Sequence, residues 1–145
     1  MERVLVSMNT RQGAWEAFSR AISLARRIDA RIYALLVLPP HTAGGRKIEL
    51  ETSGVRERLE LLIEAAKSEN IHIDYFISEG KYEDEVIRFI EQNRITLLVV
   101  ESPEGDNRNI DREPRRIDSL RHRTTCRMEV ISLRKNQQFN AREGM

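Results

Sequence analysis

The sequence has few of the residues that build disulfides, metal centres or membrane spans. It contains a single cysteine, Cys126, among 145 residues, so an internal disulfide is excluded. No apolar segment near its start approaches the length of a signal-peptide core or of a transmembrane helix. We therefore expect a cytoplasmic protein that does not contact a membrane.

An excess of charge of one sign is also missing. The chain has 24 basic and 23 acidic residues and a net charge of +1. This balance gives no general attraction to polyanions, so we expect no nucleic-acid partner. The arginines between Arg108 and Arg127 are interspersed with aspartate and glutamate. Such a mixture favours a salt-bridged, solvated surface, although binding of an anion or of an acidic partner is left open.

The sequence contains no recognisable catalytic or metal-binding motif. His41, His72 and His122 have no metal-like spacing among themselves or with Cys126. There is no Walker loop, no nucleophile elbow and no paired-carboxylate pattern. We therefore expect no metal, no catalytic residues and no enzymatic activity.

Apolar periodicity divides the chain into alternating strands and helices. Short apolar runs rich in β-branched residues predict strands, and apolar residues at helical spacing predict amphipathic helices. The strict alternation favours a parallel sheet with right-handed crossovers, because each helix must cover a sheet face. The predicted fold is a doubly wound α/β sandwich with strands at 4–8, 31–38, 71–78, 95–100 and 128–133 and helices at 14–28, 49–70, 82–93 and 116–122.

Three stretches interrupt this pattern. Residues 41–47 are predicted as a flexible surface loop, and residues 136–145 as a disordered tail after a single domain of residues 1–135. The third stretch is the turn that begins at Glu101, directly after strand 95–100. Ligands in doubly wound folds bind beyond the carboxyl ends of the strands, so this turn is where we expect a functional site.

Five segments share their order and many weak sequence matches with one known family. They are Val4 to Thr10, Ala17 to Ala25, Gly80 to Ile87, Leu97 to Val100 and Leu120 to Cys126. Through them the chain resembles the universal stress protein family. The resemblance implies a five-stranded parallel sheet of order 3-2-1-4-5 with helices on both faces, a fold like that of the adenine nucleotide alpha hydrolases.

The resemblance also shows where the chain departs from the ATP-binding members of this family. Those members carry a glycine after the fourth strand, a second glycine three residues on, and a Gly-Ser or Gly-Thr pair about ten residues later. Here Glu101 and Glu104 occupy the first two positions, Pro114-Arg115 stands near the third, and Gly105 is one residue out of register. Carboxylates add bulk and like-charge repulsion where phosphate would bind, so ATP binding is disfavoured.

Other positions of the family's nucleotide crevice are Ser7, Asn9, Val37 and Ser102, alongside Glu101. ATP-binding relatives carry an aspartate where this chain has Asn9, whose amide still offers a donor and an acceptor. Asn9 is also a common residue for ending a strand and capping a helix, and Ser7 and Val37 are equally suited to ordinary strand positions. We expect no cofactor, with ATP or AMP left open.

The resemblance implies a non-enzymatic regulatory or stress-response protein that acts through dimerisation and partner binding. A divergent adenine-nucleotide-binding member with weak or slow ATP hydrolysis is the alternative. A hydrolase is disfavoured because the glycine-rich loop of such enzymes is missing after the first strand. The family commonly pairs its last strand with a two-fold mate, so we expect a homodimer through Met128 to Leu133 with Cys126 near its rim. A monomer whose tail folds back over that edge is the alternative.

Overall fold

The computed structural model describes residues 1–9, 14–40, 45–103 and 112–133. Strands and helices alternate strictly through these ranges, and all strand pairs are parallel. The sheet has the order β3-β2-β1-β4-β5, which confirms the predicted fold class. The elements are β1 (Glu2–Asn9), α1 (Trp15–Ala25), β2 (Ala30–Leu38), α2 (Gly45–Lys67), β3 (Ile73–Glu79), α3 (Tyr82–Asn93), β4 (Leu97–Pro103), α4 (Arg112–Arg123) and β5 (Arg127–Leu133).

Two boundaries differ from the sequence prediction in ways that matter for the site. Strand β4 begins at Leu97 and continues through Glu101 and Ser102, which were expected in a turn. They remain in the strand because β5 extends alongside them, pairing Glu101 with Ile131. Helix α2 begins at Gly45 rather than at residue 49, so the predicted loop 41–47 is wrong at its end, and residues 41–44 lie outside the described residues.

Side-chain alternation along the strands creates a core on each face of the sheet. Val4, Val6 and Leu36 pack beneath α1 and α2, where Phe18 is fully buried. Leu5 packs on the opposite face, and the apolar residues that surround it come from α3, α4 and the neighbouring strands. These faces have to be apolar on both sides because helices cover both, which explains the unbroken apolar runs in the sequence.

The central strands separate towards their carboxyl ends. β1 and β4 pair over three positions only, from Val4 with Leu97 to Val6 with Val99. Strands β2 and β3 lie on one side of β1, whereas β4 and β5 lie on the other, so the strand order reverses between β1 and β4. Ligand crevices in doubly wound folds usually lie at such a reversal. The ends of β1 and β4 therefore form the two sides of a crevice.

Some sequence predictions are not addressed by the described residues. The predicted disordered tail, 136–145, lies outside them, so the domain boundary at residue 135 stays a prediction.

Among the described helices, none combines the length and the apolar character that crossing a bilayer requires.

Candidate functional site

One wall of the crevice is formed by the ends of β1 and β2. Asn9 pairs with Val37 across these two strands, so the two residues lie side by side. Ser7 and Val37 are each 3% exposed and belong to the face covered by α3 and α4. Ser7 is the only buried polar residue among the described part of the chain.

The hydroxyl of Ser7 is held by a residue from helix α3. Ser7 Oγ and Tyr82 Oη are 2.6 Å apart, a short hydrogen bond in which either oxygen can donate. Tyr82 is the first residue of α3, and it reaches the sheet because β3 turns into this helix through Gly80 and Lys81. Gly80 has φ +148°, a backbone conformation that residues with a Cβ rarely adopt, so this turn favours glycine.

The other wall carries Glu101, which points to the opposite face of the sheet. The backbone N–H of Ala17 donates a hydrogen bond of 2.9 Å to Glu101 Oε2. Ala17 is the third residue of α1, so the carboxylate lies at the N-terminal end of this helix. Glu101 is half-buried, whereas Ala17 is fully buried.

Helix α1 needs this carboxylate because its own sequence supplies no cap. The residue before the helix is Ala14, which makes no side-chain hydrogen bond to the first turn. The first amides of a helix have no partners within the helix, and they carry partial positive charge. Glu101 satisfies one of them with a full negative charge from a distant strand, as an anionic ligand would do.

The predicted site residues are therefore divided between two faces. Ser7, Asn9 and Val37 lie together on one side of the crevice, and Ser102 belongs to the same face by strand alternation from Val100. Glu101 is directed to α1 on the other face. This division stays compatible with a crevice between β1 and β4, but it separates Glu101 from the other four positions.

The remaining positions of the expected phosphate loop are only partly described. Glu104 and Gly105 lie outside the described residues. Pro114 and Arg115 fall in the first turn of α4, a place where proline is tolerated because its missing N–H has no helical partner.

Two contacts at the crevice were not predicted from the sequence. Tyr82 was interpreted only as the start of a helix, and no pattern indicated that its hydroxyl would reach Ser7. Glu101 was considered a source of repulsion, and its role on the Ala17 amide was missed. Capping by a residue 84 positions away leaves no signature in local sequence.

Metal-binding potential is low across the described ranges. They contain no group of three or more histidine, cysteine, aspartate or glutamate residues arranged to hold an ion. His72 Nε2 lies 3.5 Å from Asp74 Oδ1, and His122 Nδ1 contacts the carbonyl of Asp118 within α4. Cys126 accepts a hydrogen bond of 3.2 Å from Thr124 Oγ1 instead.

The model of the universal stress protein family matches residues 1–111. The chain belongs to the universal stress protein family. No curated protein matches the sequence.

Solved universal stress proteins share the fold at low sequence identity. UspA from Lactobacillus plantarum is 15% identical with a TM-score of 0.73, over 90% of this chain and 97% of that one. A universal stress protein from Archaeoglobus fulgidus in complex with dAMP is 14% identical with a TM-score of 0.65, over 90% and 98%. A family member from Arabidopsis thaliana with AMP bound is 16% identical with a TM-score of 0.61, over 91% and 92%.

These similarities establish the fold of this universal stress protein and leave its ligand open. Two of the three similar structures contain an adenosine monophosphate or its deoxy form. Whether this member holds such a ligand depends on its own crevice, where Glu101 and Tyr82 make the contacts described above.

Proposed function

We propose that this universal stress protein is a non-enzymatic regulatory protein that acts through dimerisation and partner binding and does not hold ATP. The observation that carries the proposal is the hydrogen bond from Ala17 N–H to Glu101 Oε2. A residue at the family's first phosphate-loop position already brings a negative charge to the crevice, and it is committed to a helix amide.

A triphosphate entering this crevice would meet an unfavourable electrostatic environment. The Glu101 carboxylate repels phosphate, and moving it away would sacrifice a charge-assisted hydrogen bond worth about 1.5–3 kcal/mol. Glycine at this position, as in ATP-binding members, would impose neither cost. These two costs support the proposal that this family member does not bind ATP.

The Ser7–Tyr82 contact supports the same proposal from the other face. Ser7 lies in the family's nucleotide crevice, and its hydroxyl is engaged by Tyr82 at 2.6 Å. A nucleoside that used Ser7 would have to compete with this bond. Side chains of the protein itself thus make hydrogen bonds on both faces of the sheet at the ends of β1 and β4.

Nucleotide titration of matched variants tests the proposal. A micromolar site would raise the free energy of unfolding by about 4 kcal/mol at millimolar ATP. We expect a much smaller effect for the unmodified protein, and we expect Glu101→Gly combined with Glu104→Gly to raise ATP affinity. Glu16→Gln is the control, because Glu16 lies in the first turn of α1 and points to solvent. Micromolar affinity by calorimetry in the unmodified protein would refute the proposal.

Adenine-nucleotide binding with weak or slow ATP hydrolysis is the second candidate. It is favoured by the AMP and dAMP in two similar structures and by the amide of Asn9 beside Val37. AMP has a single phosphate and would tolerate Glu101 better than ATP does. Stabilisation by AMP but not by ATP, or release of phosphate from ATP above a buffer blank, would favour this candidate.

Dimerisation is proposed through strand β5. It is an outer strand of the sheet, so one of its edges has no partner strand within the part of the chain that the structure describes. Met128 and Val130 contact the α3/α4 core and Ile131 contacts the α1/α2 core. A two-fold antiparallel pairing of β5 would extend both cores and satisfy the free edge.

A further inference from the structure

Two arginines oppose each other at the amino ends of β1 and β2. Arg3 of β1 pairs with Arg31 of β2 in the parallel register, so both side chains leave the same face of the sheet. Like charges at directly opposed positions destabilise a sheet unless other groups compensate them. In this protein only one of the two positive charges is compensated by an acidic side chain of the described ranges.

Arg31 has a counter-ion. Its Nη2 lies 2.8 Å from Asp74 Oδ2, and its Nε donates a hydrogen bond of 2.9 Å to the same oxygen. Asp74 is shared with His72, whose Nε2 lies 3.5 Å from Oδ1. The one carboxylate at this position is thus already engaged on both of its oxygens.

Within the described ranges, Arg3 has no counter-ion. Its Nε is buried and has no hydrogen-bond partner, and no ion pair joins its guanidinium to any residue of the described ranges. A buried donor without an acceptor is costly, and in native proteins it commonly indicates a water or ligand. The neighbouring acid Glu2 is committed to Arg127.

The surroundings hold both guanidinium groups in place. Arg3 Cζ lies 5.7 Å and Arg31 Cζ 5.8 Å from the centroid of the Tyr33 ring. That ring is itself fixed, since it stacks on Phe76 and meets Phe89 edge to face. Cations placed over an aromatic ring are partly desolvated and pre-oriented.

The backbone of Arg3 is equally constrained. Its N–H donates to Thr96 Oγ1 at 2.9 Å, and its carbonyl accepts from the Thr96 N–H at 2.9 Å. A side chain anchored at the backbone and at the ring loses little further freedom when a ligand binds. We propose that Arg3 and Arg31 form a binding site for a small oxyanion, with phosphate as the ligand class that best matches two guanidinium groups.

This site is independent of the nucleotide crevice. It lies at the amino ends of β1 and β2, whereas Ser7, Asn9 and Val37 lie at their carboxyl ends. The proposal therefore stands or fails without reference to ATP binding. An anion here would neutralise the unpaired charge of Arg3.

Thermal unfolding and calorimetry with inorganic phosphate test the site, with sodium chloride at matched ionic strength as the reference. We expect a saturable rise in melting temperature with phosphate beyond that with chloride. Arg3→Gln should weaken phosphate binding at least tenfold, and Arg3→Lys, which keeps the charge but loses the planar fork, should weaken it less. Arg27→Gln is the matched control, because Arg27 is exposed beyond α1. Circular dichroism checks that each variant is folded.

An acetate titration and a second control variant distinguish the possible ligands and sites. Acetate distinguishes a carboxylate from a phosphate ligand: a saturable acetate response that Arg3→Gln abolishes supports the oxyanion site and changes only the preferred anion. Glu16→Gln should leave the phosphate response unchanged, because Glu16 is exposed in the first turn of α1, at the opposite end of the sheet. A response equal to that of chloride for both anions, or one that survives in Arg3→Gln, overturns the proposal.

Discussion

The backbone N–H of Ala17 donates a 2.9 Å hydrogen bond to Glu101 Oε2, across 84 residues of sequence. This contact joins the first turn of α1 to the end of β4, the two elements that flank the opening of the sheet. Helices normally take their N-terminal cap from the residue just before them. Helix α1 takes it instead from a strand, so its stability depends on a residue that also brings a carboxylate to this end of the sheet.

Removing this cap should destabilise the fold measurably. Glu101→Ala is expected to lower the free energy of unfolding by about 1–2 kcal/mol, the usual range for a lost N-cap, and Glu101→Gln by less because an acceptor oxygen remains. Urea unfolding followed by the fluorescence of Trp15 is a suitable measurement, since Trp15 is the single tryptophan and the first residue of α1. The control Glu16→Ala removes an exposed charge from the same turn. Equal losses for the two alanine variants would contradict the capping role.

The contact between Ser7 and Tyr82 should appear as coupling in a double-mutant cycle. We expect Ser7→Ala and Tyr82→Phe to interact by about 1 kcal/mol, the typical net value of one hydrogen bond. Pairing Ser7→Ala with Tyr75→Phe provides the control. Ser7 and Tyr75 lie on opposite faces with β2 between their strands, so their effects should add. Additivity in both pairs would show that the 2.6 Å contact contributes nothing to stability.

The order of elements was predictable because alternation is a property of the whole chain. A run such as Leu97 to Val100 has to be a strand buried on both faces, and helices must cover those faces. Boundaries were less predictable where tertiary pairing overrides local preference. Glu101 and Ser102 favour a turn by composition, yet pairing with β5 keeps them in β4.

The proximity of Ser7, Asn9 and Val37 was predictable, and the contacts of Ser7 and Glu101 were not. Ser7, Asn9 and Val37 meet at the crevice because parallel strands end on the same edge of the sheet. Side chains alternate between the two faces along β4, so a one-residue error in register would direct Glu101 to the wrong face. The contact with Ala17 also requires the exact position of α1, which no local pattern encodes.

The hydroxyl of Tyr75 is a small defect whose removal should stabilise the protein. Its Oη is buried, and no hydrogen bond of good geometry reaches it, although the Arg56 side chain lies close enough to favour the ionised phenol. Tyr75→Phe deletes this unsatisfied group, so we expect the free energy of unfolding to rise, by about 1 kcal/mol at neutral pH. Chemical denaturation at pH 7 measures the change. A loss of stability would indicate that the hydroxyl has a partner in solution.

The same residue predicts an alkaline dependence. Burial raises the pKa of Tyr75 above its ordinary value of 10.0, an effect that nearby Arg56 opposes only in part. Below pH 10 the phenol is neutral in both folded and unfolded states, and its contribution to stability is constant. Above pH 10 the unfolded chain ionises first, so stability falls until the pH passes the folded pKa. The advantage of Tyr75→Phe over the unmodified protein should therefore grow between pH 9 and 11.

The backbone N–H and C=O groups of β5 face either β4 or the free edge of the sheet, and a mutation can affect one set without the other. The N–H of Arg127 donates to the carbonyl of Thr96, so this amide points towards β4. Amides alternate in direction along a strand, which turns the N–H of Val130 to the free edge. A change at Val130 therefore acts on the outer edge and leaves the ladder to β4 in place.

Val130→Pro should convert the proposed β5 dimer into a monomer without unfolding it. Proline removes the outward donor that a partner strand would use, and its fixed φ suits an outer strand. Light scattering across a dilution series measures the mass, and we expect a dimer for the unmodified protein at tens of micromolar and a monomer for Val130→Pro. Val130→Thr, which keeps the N–H and the β-branched shape, is the control and should remain dimeric. A monomeric mass for the unmodified protein at that concentration, or a dimer that withstands the proline, would place the assembly elsewhere than at this edge.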